Sequence, residues 1–260
     1  MSLRLTGLSP TGVSVSNAAQ NMYGLTILGG FRLRGPGGAV LIPPRSRRLV
    51  ALLSVTGPQL REAAASRLWP DADPARGGSN LRTLLWRSRA DVPDLVVVEG
   101  DGLTLGDVTC DLDVVRDWSR RTVLGEQPWP LPEHASGELL PSWSEEWLIE
   151  PREELRLLQL HALELAAQRF LMSGRLAEAC SAALAAVMMD PLRESATRLL
   201  IEIHLREGNT LDALRRYQRY RELLEREIGV DPSPAVMALV ASLPGQRRGM
   251  ASVRRLQARR

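Results

Sequence analysis

Residues 80–90 read NLRTLLWRSRA: three leucines, three arginines and one tryptophan in eleven positions. Wound as a helix at about 100° per residue, Leu81, Leu84, Leu85 and Ser88 fall within one arc about 100° wide, the stripe a helix buries. Arg82, Thr83, Trp86, Arg87, Arg89 and Ala90 take the opposite side, joined upstream by Ser79. A solvated helix face usually mixes both signs of charge, yet this one meets no acid before Asp91. Trp86 admits two readings: packed beneath a neighbouring loop, or standing outside among the arginines. The stretch is a helix with a core side and a cationic side.

The flanking sequence places that helix. Asp73 is a candidate N-cap with Pro74 in the first turn, although Gly77-Gly78 weakens the start. Before it, QLREAAASRLW (59–69) forms a short helix through Leu60, Ala64 and Leu68, ended by Pro70. SRRLVALLSVTG (46–57) brings Leu49, Leu52 and Leu53 to one face and stops at Gly57-Pro58. LTILGGFRLRGPGGAVLIP (25–43) consists of short β-rich runs broken by Gly-Gly and Gly-Pro-Gly-Gly. After the helix, LVVVEGDGLTLG (95–106) alternates into a hairpin tipped by Glu99-Gly100-Asp101-Gly102. A small sheet, three helices and a hairpin make a winged helix preceded by an N-terminal sheet.

In such a domain the third helix reads the DNA major groove, the second crosses the backbone and the hairpin is the wing. Arginine supplies bidentate contacts to guanine or clamps phosphate, and hydroxyls take phosphate oxygens. The expected DNA-binding residues are therefore Arg76, Ser79, Asn80, Arg82, Thr83, Trp86, Arg87 and Arg89 on the reading helix. Arg45 and Arg47 on the first helix join them, with Gly100 and Asp101 at the wing tip. The plainer alternative is that these arginines only solvate a helix.

Charge is segregated in the same sense. The chain's net charge is +3, and all 33 of its basic residues are arginine. From Pro43 to Arg89 nine arginines face only Glu62, Asp71 and Asp73, which leaves +6. From Cys110 to Leu243 fifteen arginines face 22 acids, which leaves −7, and the last 17 residues carry six arginines and no acid. A basic front suits a polyanion, while the acidic body is repelled by one. The absence of lysine excludes a P-loop lysine, a Schiff base and a kinase-type lysine.

Beyond the hairpin, CDLDVVRDWSRR (110–121) is an amphipathic helix, followed by a Pro-rich stretch and, from Glu145, nearly continuous helix pattern. Within it GRLAEA starts at Gly174 and GNTLDA at Gly208, a period of 34. That is the tetratricopeptide period. Phe170, Gly174, Ala179, Ala186 and Pro191 fit the aromatic, turn, small packing and stop positions of the first copy. The second keeps Gly208 and Ala213, then departs with Tyr217 and Tyr220, and AVMALVASL (235–243) adds a capping helix. The fold class is mainly α with a small β component: an N-terminal winged helix-turn-helix followed by an all-α tetratricopeptide-like domain. The expected boundaries are a mobile leader over 1–23 with Met22 a possible native start, the winged helix over 24–109, the helical domain over 110–243 and a basic disordered tail over 244–260.

Three stretches together give the chain a family likeness: LRTLLWRSR (81–89), ELLPSWSEEWLIEPREELR (138–156) and REGNTLDALRRYQRYRELLEREIGVDPSP (206–234). The chain resembles the Streptomyces antibiotic regulatory protein family, from about Leu25 to Leu243. That family joins an OmpR-type winged helix, like the output domain of a two-component phosphorelay, to a bacterial transcriptional activator domain. The resemblance implies a cytoplasmic, nucleoid-associated activator that binds direct repeats at promoters as a homodimer on DNA. It also implies recruitment of RNA polymerase through its sigma and alpha subunits, at secondary-metabolite (antibiotic) gene clusters. With no receiver, nucleotide-binding or phosphopeptide-binding segment, the chain resembles the small stand-alone members. It departs from the family at Ser88, where an apolar residue is usual, and at Gly102-Leu103, where Gly-Tyr is common. The alternative role is a DNA-binding repressor or co-regulator controlled by a partner on the helical repeats.

Catalysis is not expected. His134, His161 and His204 have no metal-ligand spacing, and the adjacent pairs Glu145-Glu146 and Glu153-Glu154 diverge on a helix. Cys110 and Cys180 are two distant thiols, consistent with a reducing compartment. No cofactor, metal or membrane span is called for, and Trp143 and Trp147, four residues apart, are candidates for inter-domain packing. The tail GQRRGMASVRRLQARR (245–260) adds positive charge without pattern. Removing it is expected to flatten the salt dependence of DNA binding and leave the footprint unmoved. A lost or shifted footprint would show that the tail reads bases or holds the dimer.

Overall fold

The expected N-terminal sheet forms from YGLT, RLRG and GAV, which are β1 (Tyr23–Thr26), β2 (Arg32–Gly35) and β3 (Gly38–Val40). The computed structural model describes residues 23–126, 130–241 and 243. The leader through Met22, residues 127–129 of the Pro-rich stretch and the tail from Pro244 lie outside the described residues. The described residues divide into two compact units, one containing Tyr23–Ile27 and Phe31–Cys110, the other Leu28–Gly30 and the described residues from Asp111 to Leu243.

In the first unit α1 (Pro44–Thr56) buries Leu49, Val50, Leu52, Leu53 and Val55. Gly57 ends it, its N–H donating to the Leu53 carbonyl at 3.0 Å. A two-residue strand, β4 (Gln59–Leu60), leads into α2 (Arg61–Leu68), and α3 (Pro74–Asp91) follows. Asp73 caps α3 as expected, its Oδ1 accepting from the Arg76 backbone N–H at 2.9 Å, and Pro74 opens the first turn. Leu81, Leu84 and Ser88 are buried and Leu85 half-buried, so the sequence arc is the buried arc. Ser88 occupies an apolar stripe because its hydroxyl has a partner: Oγ donates to Ser46 Oγ on α1 at 3.0 Å, inside the core.

The hairpin follows as β5 (Val96–Glu99) and β6 (Gly102–Leu105), joined at Gly100-Asp101, with Gly100 at φ 59°. Two features of this region have no counterpart in the sequence reading. β4 adds a third strand to the wing, with Gln59 opposite Leu103, and β7 (Val108–Cys110) returns to the first sheet, parallel to β1. The four-stranded sheet therefore runs β3-β2-β1-β7. Gly106 turns the chain between β6 and β7, and a Cβ there would lie 2.1 Å from the Asp94 carbonyl oxygen. Only glycine fits that approach.

The second unit is helical: α4 (Asp111–Val123), a 3-10 turn at Glu146–Leu148, α5 (Ile149–Met172), α6 (Leu176–Met189), α7 (Glu194–Arg206), α8 (Thr210–Glu227) and α9 (Pro234–Ala241). Leu28 pairs with Leu139 in this unit, and Gly29 N–H donates to the Glu138 carbonyl at 2.7 Å. The 34-residue repeat is visible in the backbone. Gly174 and Gly208 have φ of 74° and 78°. Arg175 N–H donates to Phe170 O and Asn209 N–H to His204 O, the same bond one period apart, at 2.9 and 2.8 Å. Both turns are left-handed helix ends whose last carbonyls are satisfied locally. Ala179, Ala182, Ala183 and Ala186 are buried along α6, so its neighbours approach closely around Phe170. Tyr217 and Tyr220 replace the small residues of the second copy. The Tyr220 hydroxyl donates to the Leu192 carbonyl at 3.2 Å, and burial, with Glu194 nearby, pushes its pKa up to about 12.

The Ser46–Ser88 bond gives a direct test of what holds α3 against α1. Ser88→Ala leaves the Ser46 hydroxyl buried and unpaired, with an expected loss of about 1–3 kcal/mol. Ser46→Ala with Ser88→Ala removes both polar groups and recovers most of that loss. Urea unfolding of the single and double variants checks it, and additive losses would contradict the pairing.

Candidate DNA interface

Because Leu81, Leu84 and Ser88 fix one side of α3, the opposite side has nowhere to turn but solvent. Arg76, Ser79, Arg82, Thr83, Trp86, Arg87 and Arg89 are all exposed and Asn80 is half-buried. The open question about Trp86 is answered: it is 74% exposed. None of the four arginines of α3 makes an ion pair among the described residues. The arginines of the second unit behave differently. Arg121 pairs with Glu126, Arg156 with Glu153 and Asp190, and Arg175 with Glu178. Arg193 makes two bonds to Glu164, at 2.8 and 2.9 Å. Burial pushes the Glu164 carboxyl up, but the bonds from Arg193 and Ser195 outweigh it and hold it below the usual carboxylate range. Those arginines of the second unit meet carboxylates, and the four of α3 face water.

Two of the open grooves along α3 meet at Trp86. The first, about 580 Å³, brings together Arg45, Asn80, Thr83, Trp86 and Arg87, with Trp69 and the Pro43-Pro44 start of α1. The second, about 410 Å³, brings Arg82, Trp86 and Arg89 beside Val96–Val98 of the wing. Trp86 is the ridge between them. Other expected residues stand apart from both grooves. Arg76 and Ser79 lie on the N-terminal half of α3, where the Ser79 carbonyl accepts from the Thr83 hydroxyl at 3.1 Å. Gly100 and Asp101 are exposed at the wing tip, held there by the Arg61 N–H, which donates to the Asp101 carbonyl at 2.9 Å. Arg47 is half-buried and its Nε donates to the Ile42 carbonyl at 2.8 Å, so part of its guanidinium is already engaged.

Arg61 joins this candidate surface and was not expected from sequence. It opens α2 and lines the second groove with Arg82 and Arg89, its Nε buried without a partner. Its only sequence signal was position: the first residue of the helix that crosses the DNA backbone in this architecture. Trp143 and Trp147 are both half-buried in the second unit. There Arg152 ties down the turn before α5, donating to the carbonyls of Leu139, Leu140 and Trp143.

Residues 135–243 match the bacterial transcriptional activator domain. The match lies within the second unit. It is to a domain of transcription regulators, not of an enzyme family, and it bears out the activator-domain part of the resemblance read from the sequence. No curated protein matches the chain. Among solved structures the chain is similar to Mycobacterium tuberculosis EmbR in complex with a low-affinity phosphopeptide, with 24% identity and a TM-score of 0.55. The similarity covers 85% of this chain and 64% of that one, so this chain spans less than two thirds of EmbR's length. At that identity the likeness shows the fold, a winged helix followed by a helical domain. No helix among the described residues is long and apolar enough to cross a membrane.

Arg82→Ala and Arg87→Ala are each expected to weaken binding to a duplex selected by the full-length protein by about 1–3 kcal/mol. Circular dichroism stays unchanged, since both side chains point outward. A variant that loses affinity for every sequence alike marks a phosphate contact. Two variants that bind as tightly as the parent would remove this face from the interface.

Proposed function

We propose that the protein is a transcriptional activator that binds direct repeats in promoter DNA as a pair of protomers and recruits RNA polymerase. The observation that carries the reading is the face of α3: exposed arginines without carboxylate partners, on a helix whose other side is locked into a helix-turn-helix core, in a chain that also carries an activator domain. In the major groove Arg82, Arg87 and Arg89 meet guanine edges or phosphates, and Arg45 and Arg61 meet the flanking backbone. Each guanidinium that neutralises a phosphate releases counterions, so affinity falls steeply with salt. The acidic second unit is repelled by the same phosphates and stays available for protein partners, the sigma and alpha subunits of polymerase. The repeats are those of secondary-metabolite gene clusters, and the protein works in the cytoplasm on the nucleoid.

Spacing of the half-sites tests the paired arrangement. On a template whose two half-sites lie about one helical turn apart, the full chain binds cooperatively and stimulates initiation by purified polymerase. Inserting about five base pairs puts the half-sites on opposite faces and abolishes the stimulation. Undiminished transcription from the altered template would remove the paired mechanism, and protein that only lowers transcription would make it a repressor.

A further inference from the structure

Trp86 is the largest exposed apolar side chain on α3, and its setting is unusual. One and three positions on stand Arg87 and Arg89, and four positions back stands Arg82. The indole is thus an apolar ridge with Arg82 and Arg89 in the groove on one side and Arg45 and Arg87 in the groove on the other, Asp94 and Asp91 lining the same two grooves. A protein partner is met by contiguous apolar surface. A ridge of this kind instead fits a polyanion that carries an isolated apolar feature. In the DNA major groove there is one such feature, the C5-methyl group of thymine; every other edge presents hydrogen-bond donors or acceptors.

We propose that Trp86 reads thymine, its indole lying against the C5-methyl while the neighbouring arginines hold guanine edges and phosphates. The inference rests on the reading of α3 as the DNA-contacting helix and adds the base that its one aromatic residue selects. It makes Trp86 a specificity determinant, where an exposed helix residue without such a role would be indifferent to the base beneath it.

The test uses the full-length protein and duplexes it selects from a randomised DNA pool. Thymines of a selected duplex are replaced one at a time by uracil, which removes only the methyl group. At one or two positions per half-site the replacement is expected to weaken binding about fourfold, the value of one buried methyl-sized group. Trp86→Ala is expected to bind the thymine duplex more weakly than the parent and to be insensitive to uracil at those positions, with circular dichroism unchanged. Two results overturn the proposal: a parent protein indifferent to every single replacement, or uracil effects of equal size in Trp86→Ala. A pool from which the protein selects no duplex would overturn the DNA reading itself, so the two failures are distinguishable.

Discussion

The placement of α3 rests on how its inner arc is buried. Leu81 and Leu84 reach the core by ordinary apolar contact, but Ser88, one turn after Leu84, carries a hydroxyl into the same stripe. It is tolerated because Ser46 on α1 presents an acceptor in the same dry space. Apolar burial is non-directional and lets a helix slide or roll by some degrees. A buried hydrogen bond has a distance and an angle, and so fixes the rotation of α3 about its own axis. Everything on the outer arc takes its direction from that rotation, including the way Arg82 and Arg89 fall to the wing side of Trp86 while Asn80, Thr83 and Arg87 fall to the other.

The two units handle the same side chain in opposite ways. In the second, guanidinium groups serve architecture. Arg193 ties the start of α7 to Glu164 on α5, Arg156 links α5 to Asp190 after α6, and Arg152 gathers three carbonyls. In the first, arginines on α3 do none of this, and the fold there depends on leucine, valine and the serine pair. Separating structural from exposed arginine lets the helical unit be acidic overall while the front presents uncompensated positive charge. The alternation of net charge along the chain is the one-dimensional trace of that division.

Much of this was legible in the sequence, and the reason is periodicity. The inner arc of α3, the Asp73 cap, the wing tip and the 34-residue repeat all depend on neighbours within a turn or on a fixed spacing, and all are where the residues place them. What was not legible depends on pairing across distance. β4 is only Gln59–Leu60 and owes its existence to Leu103, which lies beyond two helices. β7 joins β1 from more than eighty residues away, and Leu28–Gly30 sort with the second unit through Leu139 and Glu138. Arg61 was passed over for the same reason, since it comes beside Arg82 only when α2 packs against α3. Trp86 lay between two readings because a tryptophan at helical spacing carries no mark of which side it takes; burial of its neighbours decided it.

The cationic face of α3 is built from guanidinium alone, and this limits how its grip can be tuned. A lysine-based face can be discharged by acetylation, one charge at a time, and a histidine-based face by a change of one pH unit near neutrality. Arg82, Arg87 and Arg89 offer neither handle, since their side chains carry no amine to acetylate and no imidazole. The routes left for modulating such a face are ionic strength, modification that keeps the charge but blocks paired hydrogen bonds, and whatever engages the helical unit.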